Sequence, residues 1–333
     1  DMSSNSLQKY GWTIWNYVML YALGFWYLVK ELCTPHRKPN GIESQHGRVG
    51  IVTGGGRGIG LETVHKFLDL DMTVIIAGRN VPALEKAVSE LRAQGVQGGT
   101  AVCLELDLAC MSSVCKFVHD FSALKLPLHL LVNNAGIMFW PWDMTVDGHE
   151  SHWSVNYLGH FLLTHLLFPH LVANSTLDTP ARVVNLTSSA HYMGSIQFSD
   201  INNKKNYCPQ AAYAQSKLAQ MMFTISLAEH QKSCGGSVVV SGVHPGVVAT
   251  ELFQHVAWAR NFPLLANTFL KTPEQGCDTV VYVALSKYVK EGGQYYENCT
   301  VTTPSRAARR REDRARLWEL SCQQLGIDSF GQL

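Results

Sequence analysis

Tyr213 and Lys217 stand four residues apart in Ala212-Tyr213-Ala214-Gln215-Ser216-Lys217. On a helix that spacing puts both side chains on one face. Together they make a proton-transfer pair. A tyrosine hydroxyl has an ordinary pKa of about 10, too high for a base near neutrality. A neighbouring ammonium stabilises the tyrosinate, so the sequence predicts a lowered value for Tyr213. The spacing alone decides little, because a half-buried Tyr beside a solvated Lys is common.

A second group of residues can hold phosphate. Thr53-Gly54-Gly55-Gly56-Arg57-Gly58-Ile59-Gly60 follows the apolar, strand-like run Gly50-Ile51-Val52 and precedes the helix-like run 61–68. A strand that turns through glycines into a helix N-terminus lets backbone approach a pyrophosphate, and the helix dipole favours its charge. By itself such a turn is also an ordinary strand–helix connection. The next strand-like run, 73–77, ends in Gly78-Arg79-Asn80, where a dinucleotide site reads the adenine ribose. No acid is there to meet a free 2′-hydroxyl. Gly78 leaves room, and Arg79 with Arg57 offers two guanidinium groups to a 2′-phosphate. NADP(H) is therefore expected over NAD(H), with NAD(H) still possible. The alternative is that one arginine merely solvates the rim.

These residues need a framework. Strands are predicted over 49–53, 73–77, 100–104, 128–132, 181–187 and 237–243. Helices are predicted over 59–69, 82–94, 111–122, 148–170, 211–231 and 273–286. Such alternation implies an α/β fold: a Rossmann-type, doubly wound parallel sheet in a single domain with helices on both faces. The strands are continuous apolar runs, as doubly covered strands should be. Thr272, Pro273 and Gln275 make a helix start with a capping box.

Further motifs appear in order. Asn133-Asn134-Ala135-Gly136 follows Leu130-Leu131-Val132, Asn156 sits in a helix-like run, and Ser188 follows Asn185-Leu186-Thr187. Taken with the glycine turn and the Tyr213/Lys217 pair, the chain over roughly 46–300 resembles the short-chain dehydrogenase/reductase superfamily. The resemblance implies a catalytic tetrad of Asn156, Ser188, Tyr213 and Lys217. Tyr213 would be proton donor and acceptor, Lys217 its cationic neighbour, Ser188 the anchor for the substrate oxygen, and Asn156 the anchor of a water leading to Lys217. Ser188 is chosen by the family's Asn-x-Ser-Ser pattern, with Thr187 and Ser189 one residue away. The resemblance also implies cofactor contacts from Thr53, Gly54, Gly56, Arg57, Gly58, Ile59 and Gly60. Asp107 and Leu108 would meet the adenine, although a helix N-terminal acid is an equally good local reading of Asp107. Asn134, Ala135, Gly136, Tyr213 and Lys217 would line the cofactor. Pro245, Gly246, Val248 and Thr250, in His244-Pro245-Gly246-Val247-Val248-Ala249-Thr250, would lie beside the nicotinamide. The stretch 189–212 between Ser188 and Tyr213 is longer than compact members need. With Asn185 to His191, it resembles the retinol-dehydrogenase-like branch, near its polyprenol-acting members.

The expected reaction interconverts a lipophilic alcohol and its aldehyde or ketone, a retinoid or a long-chain isoprenoid of the polyprenol or dolichol class. A steroid or xenobiotic carbonyl is an alternative substrate, and a non-catalytic cofactor-binding subunit of a membrane complex an alternative role. The aromatic and aliphatic segment Glu251 to Leu265 is expected to cap the substrate site.

Residues 11–29 carry no charge and, as a helix, would extend ~28 Å at about 1.5 Å per residue, close to a bilayer core. Trp12, Trp15, Trp26 and Tyr27 suit an interfacial belt, and Lys30, Arg37 and Lys38 follow. A transmembrane helix within an anchor over 1–30 is therefore expected, with a linker over 31–46 and the catalytic domain over 47–300 in the cytosol. A helical extension is expected over 301–333. A signal peptide fits less well, for want of a cleavage site; an in-plane helix is a further alternative. Membrane lipid is then an expected partner and the endoplasmic reticulum the expected location; an oligomer is possible. The formal net charge of +1 gives no reason to expect nucleic-acid binding. Nine dispersed cysteines without C-x-x-C are expected to be free thiols, and no metal is expected. Sequons at Asn174 and Asn298 carry little weight for a cytosolic domain. The Arg-rich stretch 306–316 is expected on the solvated face of a final amphipathic helix, a membrane-surface role being the alternative.

Overall fold

The computed structural model describes residues 2–250 and 270–332, excepting the side chains of residues 2–10, 12, 13 and 16. The predicted lid over 251–265 lies outside the described residues.

The chain builds an eight-stranded sheet. The strands are β1 (Val49–Thr53), β2 (Thr73–Gly78), β3 (Thr100–Glu105), β4 (Leu130–Asn133), β5 (Arg182–Leu186), β6 (Val239–His244), β7 (Tyr295–Glu297) and β8 (Thr300–Thr302). Their spatial order is β3-β2-β1-β4-β5-β6-β7-β8. All neighbouring pairs are parallel except β7 with β8. The helices are α1 (Met2–Cys33), α2 (Gly58–Asp69), α3 (Val81–Ala93), α4 (Met111–Ala123), α5 (Gly159–Ala173), α6 (Pro209–Ser233), α7 (Pro273–Leu285) and α8 (Arg311–Leu325). A π-helical turn, Trp153–Leu158, leads into α5.

Successive residues of the central strands enter opposite layers, as the pleat requires. Ile51, Ile75, Leu131 and Val183 pack with Phe117, Phe121 and Phe161 from α4 and α5. Val52, Ile76, Val132 and Val184 pack with Val64, Phe67 and Val280 from α2 and α7. Most of these strand residues are fully buried, which explains the unbroken apolar runs. The strand order reverses between β1 and β4, and the crevice at such a switch point is where doubly wound sheets bind ligands.

Both ends of the chain fold onto this core. Helix α8 packs on α6, with Arg314 on Glu229 at 2.6 Å and Trp318 against Phe161 and Phe223. Arg314 is thus buried, while Arg316 stacks over Phe198 at 4.2 Å. The segment after α1 is held as well: Asn298 Nδ2 donates to Pro35 O at 3.0 Å, and Asn298 Oδ1 accepts from Arg37 N at 3.0 Å. All nine cysteines are free.

The uncharged run near the N-terminus is helical, as expected. Among the described residues, however, no helix is long and apolar enough to cross a membrane. Uncharged is not the same as apolar: much of the run is Tyr and Trp, whose rings carry polar tips. Nor does α1 stand away from the domain. Tyr27 is buried, its hydroxyl donating to Glu297 Oε1 at 3.0 Å, and Lys30 Nζ donates to Glu297 Oε2 at 2.6 Å. Lys30, read from sequence as a topology-setting flank, is a docking residue.

Candidate active site

The glycine turn is shaped for a ligand's close approach. Gly54 and Gly58 have φ of 64° and 54°, in the left-handed region that favours glycine. A Cβ on Gly60 would meet Gly54 O at 2.2 Å and Asn134 Nδ2 at 2.6 Å. Arg57, at the N-cap of α2, provides no side-chain cap, and the first turn holds no acid. The N–H groups there are left for an anion. Thr53 braces this end of β1: its Oγ1 accepts from Asn134 N and Ala135 N, both at 2.9 Å. Asn134 Nδ2 returns a bond to Thr53 O at 2.7 Å. The switch point is thereby tied across β1 and β4.

A cavity of about 990 Å³ runs from this turn. Thr53, Gly54, Gly56, Gly58, Ile59 and Gly60 line one end, with Arg57 and Arg79 exposed at its rim. Asp107 and Leu108 line it too, as do Asn134, Ala135 and Gly136. Asp107 also shapes its loop, Oδ1 accepting from Ala109 N at 2.9 Å, but it is not a helix N-terminal acid: α4 starts at Met111, with Cys110 at its N-cap. Pro245, Gly246, Val248 and Thr250 line it as well. The Thr250 methyl comes within 3.3 Å of where a Cβ on Gly58 would stand. The uncapped helix start and the glycine floor fit a dinucleotide, and the two rim arginines could meet a phosphate.

Tyr213, Lys217 and Ser188 line the same cavity. Ser188 stands beside Tyr213 and favours its ionised form. Thr187 is committed elsewhere, its Oγ1 donating to Lys217 O at 2.9 Å, so Ser188 is the hydroxyl of this stretch that reaches Tyr213. Lys217 Nζ donates to Leu186 O at 2.6 Å and lies 5.9 Å from the Tyr213 ring centre. The expected lowering of the Tyr213 pKa is reversed. Burial pushes Tyr213 up to about 12, against the opposing pull of Ser188. Burial also pushes Lys217 down to about 7. Desolvation penalises the charged form of each group and outweighs their mutual attraction.

Asn156 lies one layer behind, in the π-helical turn. Its Nδ2 donates to Ile137 O at 3.0 Å and to Ser216 Oγ at 2.9 Å. Its Oδ1 accepts from Ile137 N at 2.8 Å. The side chain braces the 136–137 loop, both amide N–H groups being used there and on Ser216. The π-turn, a distortion that recurs at functional sites, had no sequence signal.

Several wall residues escaped the sequence reading. Met138, Phe139 and Leu270 line the cavity, the Phe139 ring edge-on to Tyr213 at 5.7 Å. From α1 come Leu20, Tyr21 and Leu28. No local signal could reveal these, because their partners lie far away in sequence. Among the described residues no cluster of metal ligands occurs.

Comparison with known proteins agrees with this geometry. The short chain dehydrogenase family pattern matches residues 48–260. Polyprenol dehydrogenase of Mus musculus is 41% identical over 307 residues, covering 90% of this chain and 91% of its own. Retinol dehydrogenase 12 of Homo sapiens is 39% identical over 282 residues, 84% of this chain and 87% of its own. Among solved structures, an uncharacterized protein of Mycobacterium paratuberculosis matches with a TM-score of 0.72 at 30% identity, over 90% of this chain and 100% of that one. Pseudomonas aeruginosa RhlG, solved with NADP, shares the fold at a TM-score of 0.62 and 23% identity, over 77% of this chain and 96% of its own. The chain belongs to the short-chain dehydrogenase/reductase family and is an oxidoreductase.

Proposed function

We propose that the protein is a membrane-associated, NADP(H)-dependent oxidoreductase that interconverts a lipophilic alcohol and its carbonyl, with Ser188, Tyr213 and Lys217 doing the proton chemistry. The observation that carries this reading is one cavity joining the glycine turn, the Ser188–Tyr213–Lys217 cluster and a largely apolar end. When bound, the nicotinamide supplies or removes the hydride. In reduction Tyr213 gives its proton to the carbonyl oxygen, and in oxidation it takes the proton from the hydroxyl. Burial keeps Tyr213 protonated at neutral pH, the form that reduction requires. Ser188, beside Tyr213 in the cavity, holds the substrate oxygen against it. Lys217 stands beside Tyr213 as a switchable proton source, and Asn156 keeps the 136–137 loop in place.

Polyprenol and retinol, named in the relatives, are both lipophilic alcohols, in keeping with the apolar end of the cavity. Membrane association is supported by α1, which exposes Ile14, Trp15, Val18, Phe25, Trp26, Val29 and Leu32 to solvent. On a helix these residues fall within one side and form an apolar stripe, suited to an interfacial helix. The full chain should float with liposomes, and the catalytic domain should remain open to added protease. Recovery in the unbound fraction, or a protected domain, would overturn that part.

The catalytic reading is tested with Tyr213→Phe. This variant should bind NADPH as wild type does and lose about 10²–10⁴-fold in the reduction of retinal or a polyprenal. Near-normal turnover by the variant would overturn the assignment.

A further inference from the structure

Helix α1 reaches the reaction centre. Leu20, Tyr21 and Leu28 pack on a small apolar cluster formed by Met138, Ala190, Tyr213, Ala214 and Leu270. The same three side chains line the cavity that holds Ser188, Tyr213 and Lys217. From Leu20 to Leu28 the helix rises ~12 Å, at about 1.5 Å per residue. The apolar wall it offers is therefore much longer than the reacting group and packs on the cluster that holds Tyr213.

The helix is also fastened at its C-terminal end. Glu297, at the end of β7, receives Tyr27 Oη at 3.0 Å, Lys30 Nζ at 2.6 Å and Tyr295 Oη at 2.8 Å. Glu31 accepts from Val247 N with both carboxylate oxygens, at 3.1 and 3.2 Å, and Lys271 Nζ stands 3.7 Å from it. Val247 directly follows Pro245 and Gly246 in the wall of the cavity. A helix serving only as a tether needs no such bonds to the backbone of the reaction chamber.

Resting on the oxidoreductase reading above, we propose that α1 forms the substrate wall of the site, with Leu20, Tyr21 and Leu28 selecting alcohols and aldehydes by their apolar tails. The reacting carbon sits at Tyr213 and the tail lies along the inner face of α1. Selectivity for long, flexible, apolar chains then belongs to the same element whose outer face is exposed. The Glu31–Val247 bond positions the helix over the chamber.

The test uses the full chain in detergent micelles, where attachment to a bilayer contributes nothing. Reduction of farnesal, an acyclic isoprenoid aldehyde, is compared with reduction of propanal, which has no long tail to lie along α1. Leu28→Trp should raise the KM for farnesal at least tenfold and leave propanal turnover and NADPH affinity within about twofold. Leu28→Ala, the milder change should the first fail to fold, should raise the farnesal KM three- to tenfold with propanal again unaffected. Trp26→Ala, on the outer face and 63% exposed, should change neither. Equal losses on both aldehydes, or no change in either Leu28 variant, would overturn the wall. Failure of wild type to reduce any aldehyde would instead overturn the oxidoreductase reading on which the wall rests.

Discussion

Two guanidinium groups line the cavity, Arg57 and Arg79, and the proposed preference for NADP(H) rests on them. Charge-assisted bonds contribute about 1.5–3 kcal/mol each, with exposed positions at the lower end. Replacing both with Ala should therefore weaken NADPH binding by about two orders of magnitude and leave NADH nearly unchanged. Titration of each cofactor against the double variant measures this; an equal loss for both would sink the assignment. These residues were legible in the sequence because their chemistry depends on type and on position after a strand. So were Tyr213 and Lys217, through helical spacing. The state of charge of that pair was not legible. It follows from burial, and burial depends on Leu186, Met138 and other packing partners scattered along the chain. The resemblance picked Ser188 over Thr187, and the bond of Thr187 to Lys217 O gives that choice a physical reason.

At the scale of elements, patterning located six strands and six helices nearly where they stand, because doubly buried strands and capped helices write themselves locally. What escaped was short or distorted. Strand β7 has three residues and ends in Glu297, a buried carboxylate held by tyrosines and Lys30. The π-helical turn at Trp153–Leu158 departs from helical geometry without any Pro or Gly inside it. The glycine turn lets the elements themselves be tested. Gly60→Ala drives a Cβ into the backbone carbonyl of Gly54, which cannot move without opening the cradle. Gly56→Ala meets only Leu84 Cδ2, at 2.5 Å, the far end of a flexible side chain. Gly60→Ala should cost about 1–3 kcal/mol and most NADPH binding, with Gly56→Ala clearly milder. Thermal melts with and without NADPH decide it. A Gly60→Ala melting temperature within about 2 °C of wild type would show that the cradle does not need this close approach.

Across the whole molecule, distant segments are joined through buried histidines, and these set its response to acid. His191 Nδ1 donates to Ser188 O at 2.6 Å while its Nε2 accepts from Ser305 N at 3.1 Å, linking the catalytic loop to the segment before α8. Only the neutral ring can do both. His160 lies between Thr53 Oγ1 at 3.0 Å and Asn156 O at 3.3 Å, beneath the cofactor cradle. His244 is buried at the end of β6, with Tyr27 of α1 edge-on to it at 5.3 Å. Burial pushes His191 and His244 down to about 4 and His160 to about 3. Their ordinary value is about 6.5, so between that pH and the folded values the unfolded chain binds more protons. The histidines' contribution to stability is then fully present above about pH 6.5 and lost as pH falls toward 4. Lys217, pushed down to about 7, acts with the same sign from there up to its ordinary value of about 10.4. The melting temperature should thus fall steeply from pH 6.5 to 4.5 and be higher at pH 8 than at pH 6.5. His191→Gln should be less stable than wild type at pH 7.5, by about 1–3 kcal/mol for the broken bonds. Its decline in acid should be shallower, because one titrating group has gone. A wild-type melting temperature that stays flat from pH 7.5 to 4.5, or a His191→Gln decline as steep as wild type, would mean that these rings do not hold the termini and the catalytic loop together.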